Sequence, residues 1–271
     1  MFLIQLPYVS HFCGFQWKLG GPFKPPLVTL SLWVWGVSCN PAFEAARGAL
    51  ELVSRLGSPT YVGLGTGSTV GLFMELARGY SSSWYVVASS VDTIVRASRL
   101  GFRVIHPAGA PLEVYFDGAD EVDSWGNMVK GGGGALLGEK VLAFNSRVNV
   151  FMVSEDKLVD RLGSRVPVPV EVVRDYLGLV VGALEDLGFR VTVREGSGKR
   201  GPVVSDWGGV IVDVHTGAID DPELLEARLK RIPGVIETGL FLGYADYVVV
   251  GFRSCGYKVL EFERRRGRHR G

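Results

Sequence analysis

The chain has 271 residues, of which 47% are hydrophobic and 21% charged, and its net charge is +1. This composition excludes a disordered chain and predicts a large core in one or two domains. The near-neutral charge gives no bias toward nucleic acid or a membrane surface, so neither is expected as a partner. The end of the chain, RRRGRHRG, is interpreted as a solvated basic tail, with a weak polyanion contact as the alternative.

The first 39 residues precede the part of the sequence with regular periodicity. The stretch PPLVTLSLWVWGVSC contains an apolar run of about a dozen residues, fewer than the roughly 20 that a membrane span needs. We interpret residues 1–39 as a structural appendage or the product of a start codon placed too far upstream. The alternative is the apolar region of a signal peptide.

From Asn40 onward, helical and strand patterns alternate. Asn40 has the side chain of an N-cap, Pro41 suits the first helical position, and Gly57 follows the last apolar turn. Apolar strands then alternate with helices of about 10–12 residues, which predicts a mostly parallel sheet covered on both faces. The predicted strands are TYVGLG, WYVVASS, FRVIHP, LEVYFDGAD and VNVFMVSE.

The pattern changes after Pro167. Two strand-helix-strand runs of alternating polarity predict a smaller α+β unit of ferredoxin-like type. The apolar strand YADYVVVGF is expected to return to the main sheet. The predicted division is a Rossmann-like domain of residues 40–166 and 245–262, a small domain of residues 167–244, and a basic tail of residues 263–271.

The stretch GLGTGSTV, residues 63–70, joins a strand directly to a helix. Glycines let the backbone approach a ligand, and the free N–H groups at a helix start suit an anion. No lysine follows as in a Walker A loop, and no acidic residue ends the next strand as in a dinucleotide site. A phosphate monoester is the favoured ligand, and a tight turn with a Ser/Thr cap is the alternative.

The stretch DGADEVD, residues 117–123, follows a strand and carries four carboxylates. It lacks the residue order of a calcium loop and the neighbouring His or Cys of a transition-metal site, so no metal is expected. Asp117 and Asp120 can face one pocket at the carboxyl end of a parallel strand, where ligands bind in open α/β sheets. Glu121 and Asp123 are expected to be solvated. A non-functional turn remains an alternative.

Ten residues after Asp120, Lys130 begins the stretch KGGGGALLGEK. Four consecutive glycines cost conformational entropy and make sense where the backbone lies against a ligand. Lys130 can hold an oxyanion, and Glu139 can act as a general base if burial raises its pKa. The alternative for Glu139 is a surface position on the helix, and for Lys157, after a later strand, a surface lysine. Together the segments favour proton transfer beside a carbonyl in a small phosphorylated molecule.

Three scattered cysteines, Cys13, Cys39 and Cys255, form no C-x-x-C pair. This spacing argues against a disulfide scaffold or a zinc knuckle and favours a reducing, cytoplasmic location.

At this point the chain resembles the type A ribose-5-phosphate isomerase family. The resemblance covers residues 42–260 and rests on the following segments, in family order: GLGTGST, YFDGADEVD, KGGGGALLGEK, EDKLVDRLG, VPVEV, GPVVSDWGGVIVDV and IPGVIETGLF.

The resemblance implies interconversion of ribose 5-phosphate and ribulose 5-phosphate through a cis-enediolate, without a cofactor. Glu139 would move the proton between C2 and C1, and Asp117 would help open the furanose ring. Asp120 and Lys130 would hold the sugar oxygens and the enediolate charge. The family assembles as homodimers or homotetramers. The residues implied to bind substrate are Thr66, Gly67, Ser68, Thr69, Asp117, Gly118, Ala119, Asp120, Lys130, Gly131, Gly132, Gly133 and Lys157.

The chain departs from the family pattern in two places. The first helix lacks the lysine that reaches the phosphate in many members, and Arg47 is the only cation of the stretch NPAFEAARG. The family's Asp-Asn-Gly-Asn turn is DWGG here, with Asp206 retained. The alternatives are a related sugar-phosphate isomerase or deaminase, an acyl-CoA transferase, and the sugar-phosphate-sensing domain of a regulator. No helix-turn-helix pattern precedes Asn40, and the pair Lys130 and Glu139 favours catalysis over sensing.

Overall fold

The computed structural model describes residues 39–106, 111–198 and 200–263. The expectations for residues 1–38 and for the arginine-rich end lie outside these ranges. The α-helices of the described residues are α1 (Pro41–Arg55), α2 (Ser68–Leu76), α3 (Val91–Arg99), α4 (Leu136–Asn145), α5 (Leu177–Asp186) and α6 (Pro222–Lys230). The strands are β1 (Tyr61–Leu64), β2 (Tyr85–Ala88), β3 (Arg103–Val104), β4 (Leu112–Gly118), β5 (Glu121–Val122), β6 (Met128–Val129), β7 (Ser146–Ser154), β8 (Val168–Val172), β9 (Arg190–Val193), β10 (Val210–His215), β11 (Val235–Thr238), β12 (Leu240–Phe241), β13 (Tyr247–Gly251) and β14 (Tyr257–Glu261).

The largest sheet has seven strands in the order β14-β13-β7-β4-β1-β2-β3. All neighbours pair in parallel except β14, which lies antiparallel to β13 at one edge. The prediction of a mostly parallel sheet is therefore confirmed, as is the return of the strand in YADYVVVGF to it. The edge strand β14 was not predicted from the sequence.

A second sheet has the antiparallel order β11-β8-β10-β9. Because α5 connects β8 to β9 and α6 connects β10 to β11, the connectivity is the ferredoxin-like βαββαβ that was predicted. The stretch VIETGLFLG does not form one strand: its second half is β12, which joins a small sheet of order β12-β6-β5. That small sheet was not predicted. The division into two domains at the stated boundaries stays a prediction.

Helix α1 begins as the sequence indicates. The Asn40 side chain accepts hydrogen bonds from the backbone N–H groups of Ala42 and Phe43, at 3.0 and 3.3 Å. Gly57, just past the helix, has a φ of 85°, a conformation that glycine adopts without steric cost. These local signals fix both ends of the helix.

One part of the expectation from the cysteine spacing is wrong, because two of the cysteines form a disulfide, while the cytoplasmic location stays a prediction. Cys39, just before α1, forms a disulfide with Cys255 in the turn between β13 and β14, 216 residues along the chain. Sequence spacing could not show this pair because the two residues meet only when α1 packs on β13 and β14.

None of the described helices is long and apolar enough to cross a membrane.

Candidate functional site

The site lies where neighbouring parallel strands of the large sheet end. Strands β1 and β4 pair in parallel, so the loop of residues 65–69 and the segment of residues 117–120 leave the sheet side by side. The Gly65 N–H donates to the Phe116 carbonyl at 2.9 Å, and a Cβ atom at Gly65 would overlap the Asp117 carboxyl group. A glycine is needed here because two chain segments approach too closely for a side chain.

Three charged side chains form the buried centre of the site. Asp117 is 0% exposed, and Lys130 and Glu139 are each 2% exposed. Lys130 Nζ lies 2.6 Å from Asp117 Oδ2 and 3.1 Å from Glu139 Oε2, and it donates to the Gly118 carbonyl at 2.8 Å. The contact with Glu139 lacks hydrogen-bond geometry, since Oε2 has no hydrogen-bond partner among the described residues. That oxygen is therefore available to accept a proton.

The charges of this centre do not balance, because one ammonium faces two carboxylates. Burial, followed by the neighbouring Asp117 charge, raises the pKa of Glu139 to about 8. Burial also raises the pKa of Asp117 above its usual range. Burial alone would lower the pKa of Lys130, but the charges of Asp117 and Glu139 outweigh it and raise that pKa. The two carboxylates thus titrate as a pair that holds one proton near neutral pH.

Aromatic rings enclose the cation of this centre. Lys130 Nζ lies 5.2 Å from the centroid of the Phe241 ring and 5.9 Å from that of Phe151. Lys140 Nζ lies 5.0 Å from the Phe241 centroid and 2.9 Å from Glu237 Oε1. Ring faces stabilise cations by their quadrupole, so these contacts support a charged Lys130 away from water.

Side chains from both predicted domains form hydrogen bonds with the backbone of the glycine loop after Lys130. Asp120 Oδ2 accepts a hydrogen bond from the Gly132 N–H at 2.8 Å. Arg194, which follows β9, donates to the carbonyls of Gly131 and Gly132 at 2.7 and 3.1 Å, and Asp213 on β10 fixes the arginine by an ion pair. Arg194 was missed because nothing in the sequence around it marks a ligand site.

The loop of residues 65–69 is tied to the start of α3. The Thr66 hydroxyl lies 2.7 Å from those of Ser89 and Ser90, and the Thr93 hydroxyl donates to the Gly65 carbonyl at 2.7 Å. Gly67 precedes α2 with a φ of 133° and carries no side-chain cap. The Thr66 side chain therefore supports the loop, while Gly67 and Ser68 are exposed.

The remaining predicted residues lie on the loops and strand ends described next. Gly118 and Ala119 continue from β4, and exposed Gly133 lies opposite the Thr66 methyl group. Lys157 ends a short 3-10 turn after β7, the strand next to β4, and is half-buried.

Arg47 is not placed as a free phosphate ligand. Its guanidinium pairs with Glu44 and Glu51 at 2.7 and 2.8 Å and lies over the Tyr257 ring. Asp206 accepts the Val91 N–H at 2.9 Å, so the loop between β9 and β10 caps α3.

Two expectations for acidic residues are wrong. Glu121 is buried and accepts hydrogen bonds from the backbone N–H groups of Gly163, Arg165 and Val166. Asp123 is buried and accepts those of Trp125 and Asn127. Both carboxylates hold loops, which their position in an acidic cluster did not reveal. The alternative that Glu139 lies on the helix surface is also wrong, because its side chain is buried.

The described residues contain no cluster of three or more His, Cys, Asp or Glu side chains suited to a metal.

Comparison with known proteins connects this geometry to one family. Residues 85–254 match the family model described as ribose 5-phosphate isomerase A (phosphoriboisomerase A). The chain is 54% identical over 227 residues to ribose-5-phosphate isomerase A of Aeropyrum pernix, covering 82% of this chain and 95% of that protein. It is 41% identical over 216 residues to the protein of the same name from Methanothermobacter thermautotrophicus, covering 78% and 95%.

Comparison with solved structures points to the same family. Ribose 5-phosphate isomerase A from Methanocaldococcus jannaschii superposes with a TM-score of 0.76 at 34% identity, covering 81% of this chain and 97% of that one. A D-ribose-5-phosphate isomerase in complex with phospho-erythronic acid gives 0.77 at 34% identity, covering 82% and 100%. This chain belongs to the ribose-5-phosphate isomerase A family.

Proposed function

We propose that this chain interconverts D-ribose 5-phosphate and D-ribulose 5-phosphate through a cis-enediolate, as an enzyme of the non-oxidative pentose phosphate pathway. The observation that carries the proposal is the buried Lys130 between the carboxylates of Asp117 and Glu139. A cation fixed beside a proton acceptor suits the removal of a proton next to a carbonyl, because the resulting oxyanion is stabilised where it forms.

Each charged group has a proposed task. Asp117 takes the proton of the O1 hydroxyl while the C1–O4 bond breaks and the ring oxygen takes the proton held by Glu139, which opens the furanose. Glu139 then removes the C2 proton, and Lys130 stabilises the enediolate oxygens. Glu139 returns the proton to C1, while Asp117 exchanges the hydroxyl protons of O1 and O2. These steps require no group beyond the side chains named.

The proposed substrate contacts follow the two loops. Backbone N–H groups at the start of α2, with Ser68 and Thr69, would bind the phosphate, because a helix N-terminus favours an anion. Lys157 would add a cation from the neighbouring strand end. The glycine loop of residues 131–133, fixed by Asp120 and Arg194, would lie along the sugar. The remaining substrate contacts proposed are Thr66, Gly67, Gly118 and Ala119.

Conversion of ribose 5-phosphate by chelator-treated protein tests the proposal. We expect turnover by the untreated and treated protein alike. Glu139→Gln should lower kcat by at least about a hundredfold, the scale of a lost general base. Glu75→Gln, at an exposed position of α2, is the matched control and should leave the rate unchanged. Binding of the sugar phosphate without turnover would reject the enzyme and favour a sensor.

We further propose that the protein acts in the cytoplasm as a homodimer or homotetramer. Tyr176, just before α5, is 59% exposed, and Leu179, on α5, is 76% exposed. Exposed apolar side chains of this kind support association between copies of the chain. Light scattering coupled to size-exclusion chromatography distinguishes these assemblies from a monomer.

A further inference from the structure

Tyr115 is a buried tyrosine that the reaction outlined above does not use. It precedes Asp117 by two residues on β4, and alternate residues of a strand point to the same face. Its side chain is fully buried, and its hydroxyl donates a hydrogen bond to Asp117 Oδ2. The tyrosine hydroxyl therefore reaches a carboxylate of the candidate site from within the core.

The ring of Tyr115 has little freedom to move. It packs edge-on against Phe151, with ring centroids 6.1 Å apart. A Cβ atom at Gly63 on the adjacent strand β1 would lie 2.9 Å from the Tyr115 ring, so the glycine allows the ring to lie against β1. Because the ring is confined on two sides, the hydroxyl is held in position before any ligand binds.

The Tyr115 hydroxyl bonds to only one carboxylate of the pair formed by Asp117 and Glu139, and the two carboxylates have different surroundings. Asp117 receives the Tyr115 hydroxyl and Lys130 on Oδ2 and the Gly118 N–H on Oδ1 at 2.7 Å. Glu139 Oε2 lies 3.1 Å from Lys130 Nζ, without hydrogen-bond geometry. Asp120 is the other acidic group whose charge acts on this pair. Donors stabilise the ionised form of a carboxyl group, so the contacts favour ionised Asp117 and protonated Glu139.

We propose that Tyr115 is a positioning residue, whose hydroxyl fixes the Asp117 carboxylate and keeps the proton of the pair on Glu139 in the free enzyme. This inference rests on the proposed function and adds to it which carboxyl group holds the proton before substrate binds. Ionised Asp117 takes the O1 proton, the C1–O4 electrons pass to O4, and O4 takes the proton of Glu139. Ring opening thereby leaves Glu139 ionised, in the form that removes the C2 proton.

Tyr115→Phe tests the inference because it keeps the ring and removes only the hydroxyl. We expect kcat to fall about tenfold, the lower end of the effect of a hydrogen bond to a charged group, with KM changed less than about twofold. The acid limb of the kcat/KM profile should move up by about one pH unit, since Asp117 loses a donor to its ionised form. Tyr80→Phe, at a tyrosine whose ring stacks on Trp84 in a different core cluster, is the control and should keep the wild-type profile.

A double-mutant comparison separates positioning from stability. If Tyr115 acts through Asp117, Tyr115→Phe should add no further loss of kcat in an Asp117→Asn background. A merely structural role would lower Tm in both backgrounds and leave the pH profile in place. Wild-type kcat and an unshifted acid limb in Tyr115→Phe would overturn the inference.

Infrared spectroscopy of the free protein gives a readout that does not depend on turnover. At neutral pH the part of the protonated-carboxyl band that Glu139→Gln removes should shift when the glutamate side-chain carboxyls carry heavy carbon, and should not shift when the aspartate carboxyls do. In Tyr115→Phe, part of this band should shift on aspartate labelling as well. An identical assignment with and without the Tyr115 hydroxyl would refute the inference, whereas absence of isomerisation by the wild type would refute the proposed function instead.

Discussion

Gly65 leaves free the space that the carboxyl group of Asp117 occupies, since a Cβ atom added at Gly65 would overlap that group. The loop of residues 65–69 and the segment of residues 117–120 are thus fitted to each other across β1 and β4. A change on one of them must displace the other.

Gly65→Ala should therefore lower activity without touching a charged residue. We expect kcat/KM to fall by about a hundredfold, because misplacement of a reacting group by about 1 Å has effects of that size. Overpacking should also lower the free energy of unfolding by about 1–3 kcal/mol. The control is Gly79→Ala, where an added Cβ meets nothing within 4 Å. Equal activity of both variants would show that Asp117 does not need its present position.

The pH dependence of kcat/KM should fall on its alkaline side near pH 8. Burial and the Asp117 charge raise the pKa of Glu139 to about 8, so the pair retains one proton below that pH and loses it above. Ring opening as proposed needs that proton. The profile of the free enzyme, measured from pH 5 to pH 10, reports this ionisation. A rate that continued to rise through pH 9 would mean that the active pair carries no proton.

Arg194→Gln should weaken substrate binding more than it slows the chemical step. The substitution removes both hydrogen bonds to the glycine-loop carbonyls, so the loop must be ordered when the sugar binds. We expect KM for ribose 5-phosphate to rise about tenfold, with kcat changed less. Arg190→Gln on the same face of the small domain, where the arginine bonds His215, should leave KM unchanged. An unaltered KM in Arg194→Gln would show that the contact of Arg194 with the glycine loop does not contribute to substrate binding.

Reduction should lower thermal stability by breaking the bond between Cys39 and Cys255. The bond closes a loop of 216 residues, and in the chain-entropy model long loops give stabilisation of roughly 2–5 kcal/mol. Tm should fall on addition of reductant in the wild type and stay constant in Cys39→Ser. Alkylation followed by mass measurement should leave Cys39 and Cys255 unmodified before reduction and modify both after it. Modification of both without reductant would contradict the pairing.

The sequence predicted those features that depend on local chemistry. Asn40 and Pro41 set the start of α1, and the alternation of apolar strands and helices indicated the parallel sheet. The site segments were found because glycine runs and acidic clusters are unusual in a short stretch. Glu121 shows the limit: its carboxylate holds the backbone of a loop more than 40 residues away. Such partners are set by tertiary packing and leave no trace in local spacing.

The most direct test of the account follows the hydrogen at C2. Ribose 5-phosphate labelled with deuterium at C2 is converted in ordinary water, and the C1 position of ribulose 5-phosphate is examined by NMR. Proton transfer by Glu139 predicts solvent hydrogen at C1 in part of the product, with turnover and exchange both lost in Glu139→Gln. Complete retention of deuterium at C1, with undiminished turnover of Glu139→Gln, would contradict the proposed mechanism.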